Sequence, residues 1–279
     1  MFDGRAFRAQ RRKGMLDAHV HLEKGPYTFK WINEFIHTAM DRNIDEIRFV
    51  EHSHRFLQFE EMYNEVTSYS LYQKEWLERK CNIDLVKYKS FVEECRTRKF
   101  PINVKFGMEV CYFSEHENAL KNLLSDFNWD FITGSIHWID GWGFDHKEEH
   151  WSNVNIDVAY RRYYEEMIKL VRSGIFTTLA HPDSIKCFGK KPAISMRVLY
   201  ESLATELQKN NVSTEVSSGL YNNYGCKEIG INEELLLILI KANVALLTAS
   251  DAHSPSMVGK MIKECEEIIE RNRRTIASS

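Results

Sequence analysis

Glycine and proline are scarce, at 13 and 5 of 279 residues, which excludes a collagen-like or linker protein. The six cysteines, at positions 81, 95, 111, 187, 226 and 265, form no CxxC pair. A zinc-ribbon or thioredoxin-type redox reading therefore has no support, and reduced thiols are expected. Neither sign of charge dominates: 37 Lys+Arg stand against 40 Asp+Glu, a formal net charge of −3. Such a chain has no overall attraction to nucleic acid or to an anionic membrane. The longest apolar run, residues 235–240, stops at Lys241; it is too short to cross a bilayer and predicts a buried helix. The first 14 residues carry five cationic side chains and no apolar stretch of signal-peptide length, so an N-terminal extension over 1–14 and a cytoplasmic protein are expected. GxSxG, P-loop and GxGxxG motifs are missing, and the chemistries that need those backbones go with them.

What is present is a 43% hydrophobic chain, enough to bury a sizeable core. No linker or repeat divides it, so one domain over 15–279 is expected. Short β-branched or apolar runs recur at 15–16, 44–50, 102–110, 131–136, 176–180, 212–216 and 244–249, which predicts seven strands. Helical spacing fills the intervals, near 31–40, 84–98, 116–126, 156–173, 194–210, 231–238 and 256–273. This β-α alternation defines an α/β class with a parallel sheet, closed into a barrel or doubly wound. Segments 55–82 and 138–153 do not fit one helix per strand and are candidate lids or walls over a site.

The chemistry lies at the strand ends. In order they carry Asp17-Ala18-His19-Val20-His21, Glu51-His52-Ser53-His54, Glu109, Ser135-Ile136-His137, His181-Pro182-Asp183 and Asp251-Ala252-His253. In a parallel barrel these ends meet at one mouth. Seven of the eleven histidines sit there, and imidazole with carboxylate suits Zn, Mn or Fe, in a set too large for one tetrahedral ion. Residues two apart on a strand project to the same side, so an HxH pair can reach one ion. His37, His116, His146 and His150 read as ordinary polar residues, Ser135 as a wall residue, and Cys111 as buried filler.

Taken together, the ordered set Asp17-x-His19-x-His21, Glu51-His52, Glu109, His137, His181-Pro182-Asp183 and Asp251-x-His253 resembles the PHP (polymerase and histidinol phosphatase) family over about residues 15–271. It looks most like the monofunctional histidinol-phosphate phosphatase branch. The resemblance implies a distorted (β/α)7 barrel with three divalent ions at its mouth. His19, His21, Glu109 and Asp251 would hold one ion, Glu109 would bridge to a second held by His137 and His181, and His52 and His253 would hold the third. The family usually has a further His soon after the HxH pair, where this chain has Leu-Glu-Lys-Gly-Pro-Tyr. Either Glu23 replaces it, or the third site is weak or empty. Asp17 would orient a ligand histidine.

The implied reaction is hydrolysis of a small phosphate monoester, L-histidinol phosphate, by metal-bound hydroxide, with Asp183 or His253 as the acid that protonates the leaving alcohol. Arg55, Arg161, Lys186 and Arg197 are candidate phosphate contacts, and Trp138, Trp142 and Tyr221 candidate walls. The rival readings are a PHP-type nuclease or nucleotide phosphoesterase, disfavoured by the acidic balance, and a metal-binding subunit without catalysis. No membrane and no nucleic-acid partner is expected, and the sequence carries no signal for oligomeric state.

Overall fold

The computed structural model describes residues 14–278; nearly all of the expected extension lies outside them. Seven parallel strands form one sheet: β1 (Met15–Val20), β2 (Ile44–His52), β3 (Asn103–Cys111), β4 (Phe131–Ser135), β7 (Thr178–Leu179), β8 (Ser213–Ser217) and β9 (Leu246–Ala249), hydrogen-bonded in that order. The two edges meet. The His21 N–H donates to the Ala252 carbonyl at 2.8 Å, and the Thr248 hydroxyl donates to the Leu16 carbonyl at 2.5 Å. The sheet is thus a nearly closed barrel, one of the two forms the alternation allowed and the one the resemblance implied.

Helices cover its outer face: α1 (Phe29–Asp41), α4 (Leu85–Arg96), α5 (Glu117–Ser125), α6 (Ile156–Arg172), α7 (Arg197–Lys209), α9 (Glu233–Lys241) and α10 (Ile262–Ala277). Their apolar stripes explain the packing; in α1 the buried residues are Ile32, Phe35, Ile36 and Ala39, one face at helical spacing. Thr28, Asp84, Asn155 and Asn232 begin α1, α4, α6 and α9, each accepting a first-turn N–H with its side chain. The 235–240 run is α9, nine residues long. Among the described residues no helix is long and apolar enough to cross a membrane. The expected strand at 176–180 narrows to two residues. Beside it the Thr177 hydroxyl bonds both the N–H and the carbonyl of Ile132, so a side chain takes over ladder contacts.

The two irregular segments meet over the barrel mouth. Within 55–82 lie α2 (Asn64–Tyr69) and α3 (Leu71–Lys80). Within 138–153 a hairpin pairs β5 (Trp138–Ile139) with β6 (Trp142–Gly143). Its two turn residues, Asp140 and Gly141, have φ of 50° and 76°, as a tight hairpin turn following the strand twist requires. Fully buried Gln73 of α3 fastens the two segments together. Its amide nitrogen donates to the carbonyls of Val66 (2.8 Å) and Gly141 (2.7 Å), and its oxygen accepts from the Gly143 N–H (2.8 Å). Gln73→Leu fills the space but strands these main-chain groups, so urea denaturation should show a loss of about 2–3 kcal/mol. The remaining α-helix among the described residues, α8 (Gly219–Tyr224), follows β8 at the same mouth.

Candidate metal centre

Glu109, on β3, is the hub. Only 1% exposed, it presents Oε2 to His19 Nε2 (3.2 Å), His52 Nε2 (3.2 Å) and His21 Nε2 (3.6 Å). Its Oε1 faces His137 Nε2 (3.0 Å) and His181 Nε2 (3.1 Å). One carboxylate thus divides five imidazoles from four strand ends or exits into two groups, the pattern of a bridge. Asp251 Oδ1 joins the first group at 3.4 Å from His21 Nε2. A Cβ on Gly219 would collide with the Asp251 carboxylate, so this position must stay bare. His181 and Asp251 both have positive φ, 23° and 54°, sparsely populated for non-glycine residues and characteristic of functional sites.

The rings are aimed by acids from elsewhere in the fold, one on β8 and one in the turn after β6. Glu215 of β8 accepts from His19 Nδ1 at 2.9 Å and from the His181 main-chain N–H at 3.1 Å, and Asp145 accepts from His137 Nδ1 at 2.7 Å. With the Nδ1 proton committed, the Nε2 lone pairs of His19 and His137 point at Glu109, and His19 Nε2 also lies 3.0 Å from His21 Nε2. Acceptors facing acceptors need positive charge between them. Burial pushes the Glu109 pKa upward, yet the His52 and His19 imidazoles and hydrogen bonds from His137 and His181 hold it well below the usual carboxylate range. Burial likewise opposes charge on His19 and His137, but Glu215 with Glu109, and Asp145 with Glu109, raise both well above the ordinary imidazole value. The cluster demands cations, and divalent ions displace such protons when they bind.

The donor set fits metal ions. Ligands about 2.1 Å from a tetrahedral zinc stand about 3.4 Å apart, close to the 3.0–3.6 Å separations around Glu109. Four groups bring donor atoms within 4.8 Å of one another: His19–Glu109–His181, His19–His21–Asp251, His21–His52–His253 and Glu23–His52–His54. All nine ligand candidates from the sequence, His19, His21, Glu23, His52, Glu109, His137, His181, Asp251 and His253, lie at this mouth. His54 is an addition. The set lies at the base of a cleft of about 610 Å³.

Other expectations need correction. Asp17 touches no imidazole; its oxygens accept from Ser250 N (2.9 Å), Ser250 Oγ (2.6 Å) and Gly259 N (2.8 Å), anchoring the β9 exit that carries Asp251. Asp183 is buried against Lys186 (2.9 Å), the Tyr164 hydroxyl (3.2 Å) and the Asn232 N–H (2.9 Å), away from the cleft. None of the four candidate phosphate cations lines it. Arg55 pairs with Glu51 and holds the Glu23 carbonyl at 3.1 Å, and Lys186 is committed to Asp183 and Glu228. Arg161 is exposed on α6; Arg197, 58% exposed, pairs with Glu201 and Glu234. The lysines on the cleft are Lys24 and Lys80. Trp138 does form a wall, whereas Trp142 packs on Trp151 and Tyr221 lies outside. Tyr72 and Trp76 of α3 and His146, read as an ordinary polar residue, complete the wall.

Barrel and convergent donor set together define a protein with a candidate divalent-metal centre at the C-terminal ends of its strands. Residues 17–219 match the PHP domain, and the chain belongs to that family. It is 22% identical over 277 residues to a probable histidinol-phosphatase of Deinococcus radiodurans, covering 94% of this chain and 96% of that protein. It is 26% identical over 196 residues to a probable histidinol-phosphatase of Schizosaccharomyces pombe, covering 63% of each. A solved histidinol phosphate phosphatase of Lactococcus lactis subsp. lactis, in complex with zinc, L-histidinol and phosphate, superposes with a TM-score of 0.69 at 16% identity, over 93% of this chain and 94% of that one. The likeness is one of fold.

Proposed function

We propose that this protein is a divalent-metal-dependent phosphomonoesterase acting on L-histidinol phosphate. The observation that carries the reading is Glu109, whose two oxygens each face a separate imidazole group at the floor of an open cleft. Both curated relatives carry the name of that activity. Bound Zn, Mn or Fe would neutralise the phosphate oxygens and lower the pKa of a coordinated water. The chain's part is to hold the ions and exclude alternatives. His19, His21, Glu109 and Asp251 are assigned to one ion, Glu109, His137 and His181 to a second, and Glu23, His52 and His253 to the neighbourhood of a third. Of the two acid candidates, only His253 faces the cleft. Lys24 and Lys80 draw in the phosphate dianion.

The cleft also favours a small substrate over a nucleic-acid strand. Its two lysines make no basic groove, and Tyr72, Trp76 and Trp138 give the organic end of the substrate an aromatic surface. Trp76→Ala should raise KM for L-histidinol phosphate about tenfold with kcat little changed, as loss of uniform binding does; steady-state kinetics on the two proteins checks this. The reading itself is tested by comparing L-histidinol phosphate, nucleoside monophosphates and single-stranded DNA, with and without chelator. L-Histidinol phosphate should lead in kcat/KM by about 100-fold. Preferred cleavage of DNA, or full activity in the chelator, overturns it.

A further inference from the structure

His52 faces two ways. Its Nε2 lies 3.2 Å from Glu109 Oε2, while its Nδ1 lies 3.6 Å from Glu23 Oε2. The second separation is too long for a hydrogen bond but close to the about 3.4 Å expected of two ligands on one tetrahedral ion. His54, two residues on, offers a donor within 4.8 Å of those of both Glu23 and His52. Its ring is fixed between His52 (centroids 4.6 Å apart) and Trp76 (4.8 Å). The Nδ1 atoms of His52 and His54 are both buried and both without a hydrogen-bond partner, a cost that sharing one cation removes. Arg55, in the same 3-10 turn as His54, grips the Glu23 carbonyl at 3.1 Å, so the turn that places His54 also places Glu23.

We propose that His54 is a metal ligand: with Glu23 and the Nδ1 of His52 it forms the divalent-cation site of the third ion on the cleft wall, in place of the His21–His52–His253 grouping. In that arrangement His52 ligates through Nδ1 and its Nε2–H donates to Glu109, which couples occupancy of this site to the central carboxylate. The proposal rests on the metal-dependent reading above and adds a ligand to it.

The test is a metal count on the full chain. Wild type, His54→Ala and His146→Ala are loaded with Zn2+, desalted and analysed by inductively coupled plasma mass spectrometry, then titrated against a chromophoric chelator. His146 lines the same cleft and likewise has a buried Nδ1 without a partner, but belongs to none of the four donor groups. Wild type should hold one more ion per chain than His54→Ala, or hold its weakest ion at least about tenfold more tightly, and His146→Ala should match wild type. Equal counts and affinities for wild type and His54→Ala overturn the site while leaving the proposed function standing. A wild type that retains no divalent ion overturns both. If His54→Ala loses its cooperative thermal transition, His54→Gln, nearer in size, takes its place in the same comparison.

Discussion

Glu109→Gln should lower kcat/KM for L-histidinol phosphate by about three orders of magnitude or more, with the far-ultraviolet circular dichroism spectrum unchanged. The side chain keeps its size, so the buried position on β3 is still filled. What changes is the donor pattern. The carboxylate offers one acceptor oxygen to His137 and His181 and the other to His19, His21 and His52. An amide has one acceptor and one N–H2, and whichever group meets the N–H2 loses its share of an ion and gains a donor pointing at it. The loss should therefore appear in metal content as well as rate, measured by elemental analysis alongside single-turnover hydrolysis. Retained ion content with a normal rate would refute the bridge. Because the charge of Glu109 helps to raise His19 and His137 above the ordinary imidazole value, these two rings should also titrate lower in the metal-free variant, a shift that NMR of the histidine ring protons can follow.

The barrel and the convergence of the candidate ligands at its mouth could be read before the structure because both rest on local periodicity. Strand residues alternate, parallel strands end at one mouth, and so a His or acid at a strand end has little choice of location. The partners of those ligands had no such signal. His19 and Glu215 are 196 residues apart, and only the closure that brings β8 toward β1 makes Glu215 its acceptor. The one hint was an acid inside the β-branched run Ser213-Thr-Glu-Val-Ser, where an unpaired carboxylate is costly. Asp145 sat in a loop whose path the sequence does not show. The cations failed for the opposite reason: local partners were visible and outweighed by the appeal of a phosphate site. Arg55 follows Glu51 and Arg197 precedes Glu201 by four residues, and Lys186 follows Asp183 by three, spacings at which neighbouring turns bring charges together. His54 stood within the strand-end cluster but lacked a role until α3 folded Trp76 against it.

Glu215 then becomes the position where a residue assigned to no ion should have the second-largest effect. It is fully buried and serves two ligands by different means, accepting the ring proton of His19 and the main-chain N–H of His181. Glu215→Ala removes both acceptors: His19 is free to turn or to carry its proton on Nε2, and the strained His181 backbone, at φ 23°, loses a tether. Metal affinity and activity should each fall about 10–100-fold, the range for loss of a ligand's orienting partner. Two further measurements separate orientation from simple damage to the core. Glu215→Gln keeps an oxygen acceptor for one of the two contacts and should fall between wild type and alanine. Added Zn2+ should recover much of the activity of Glu215→Ala, because ions at high concentration restore occupancy of a weakened site. Activity that zinc does not recover, in a variant whose ion content is normal, would show that Glu215 acts on the chemistry and not on the placement of His19 and His181.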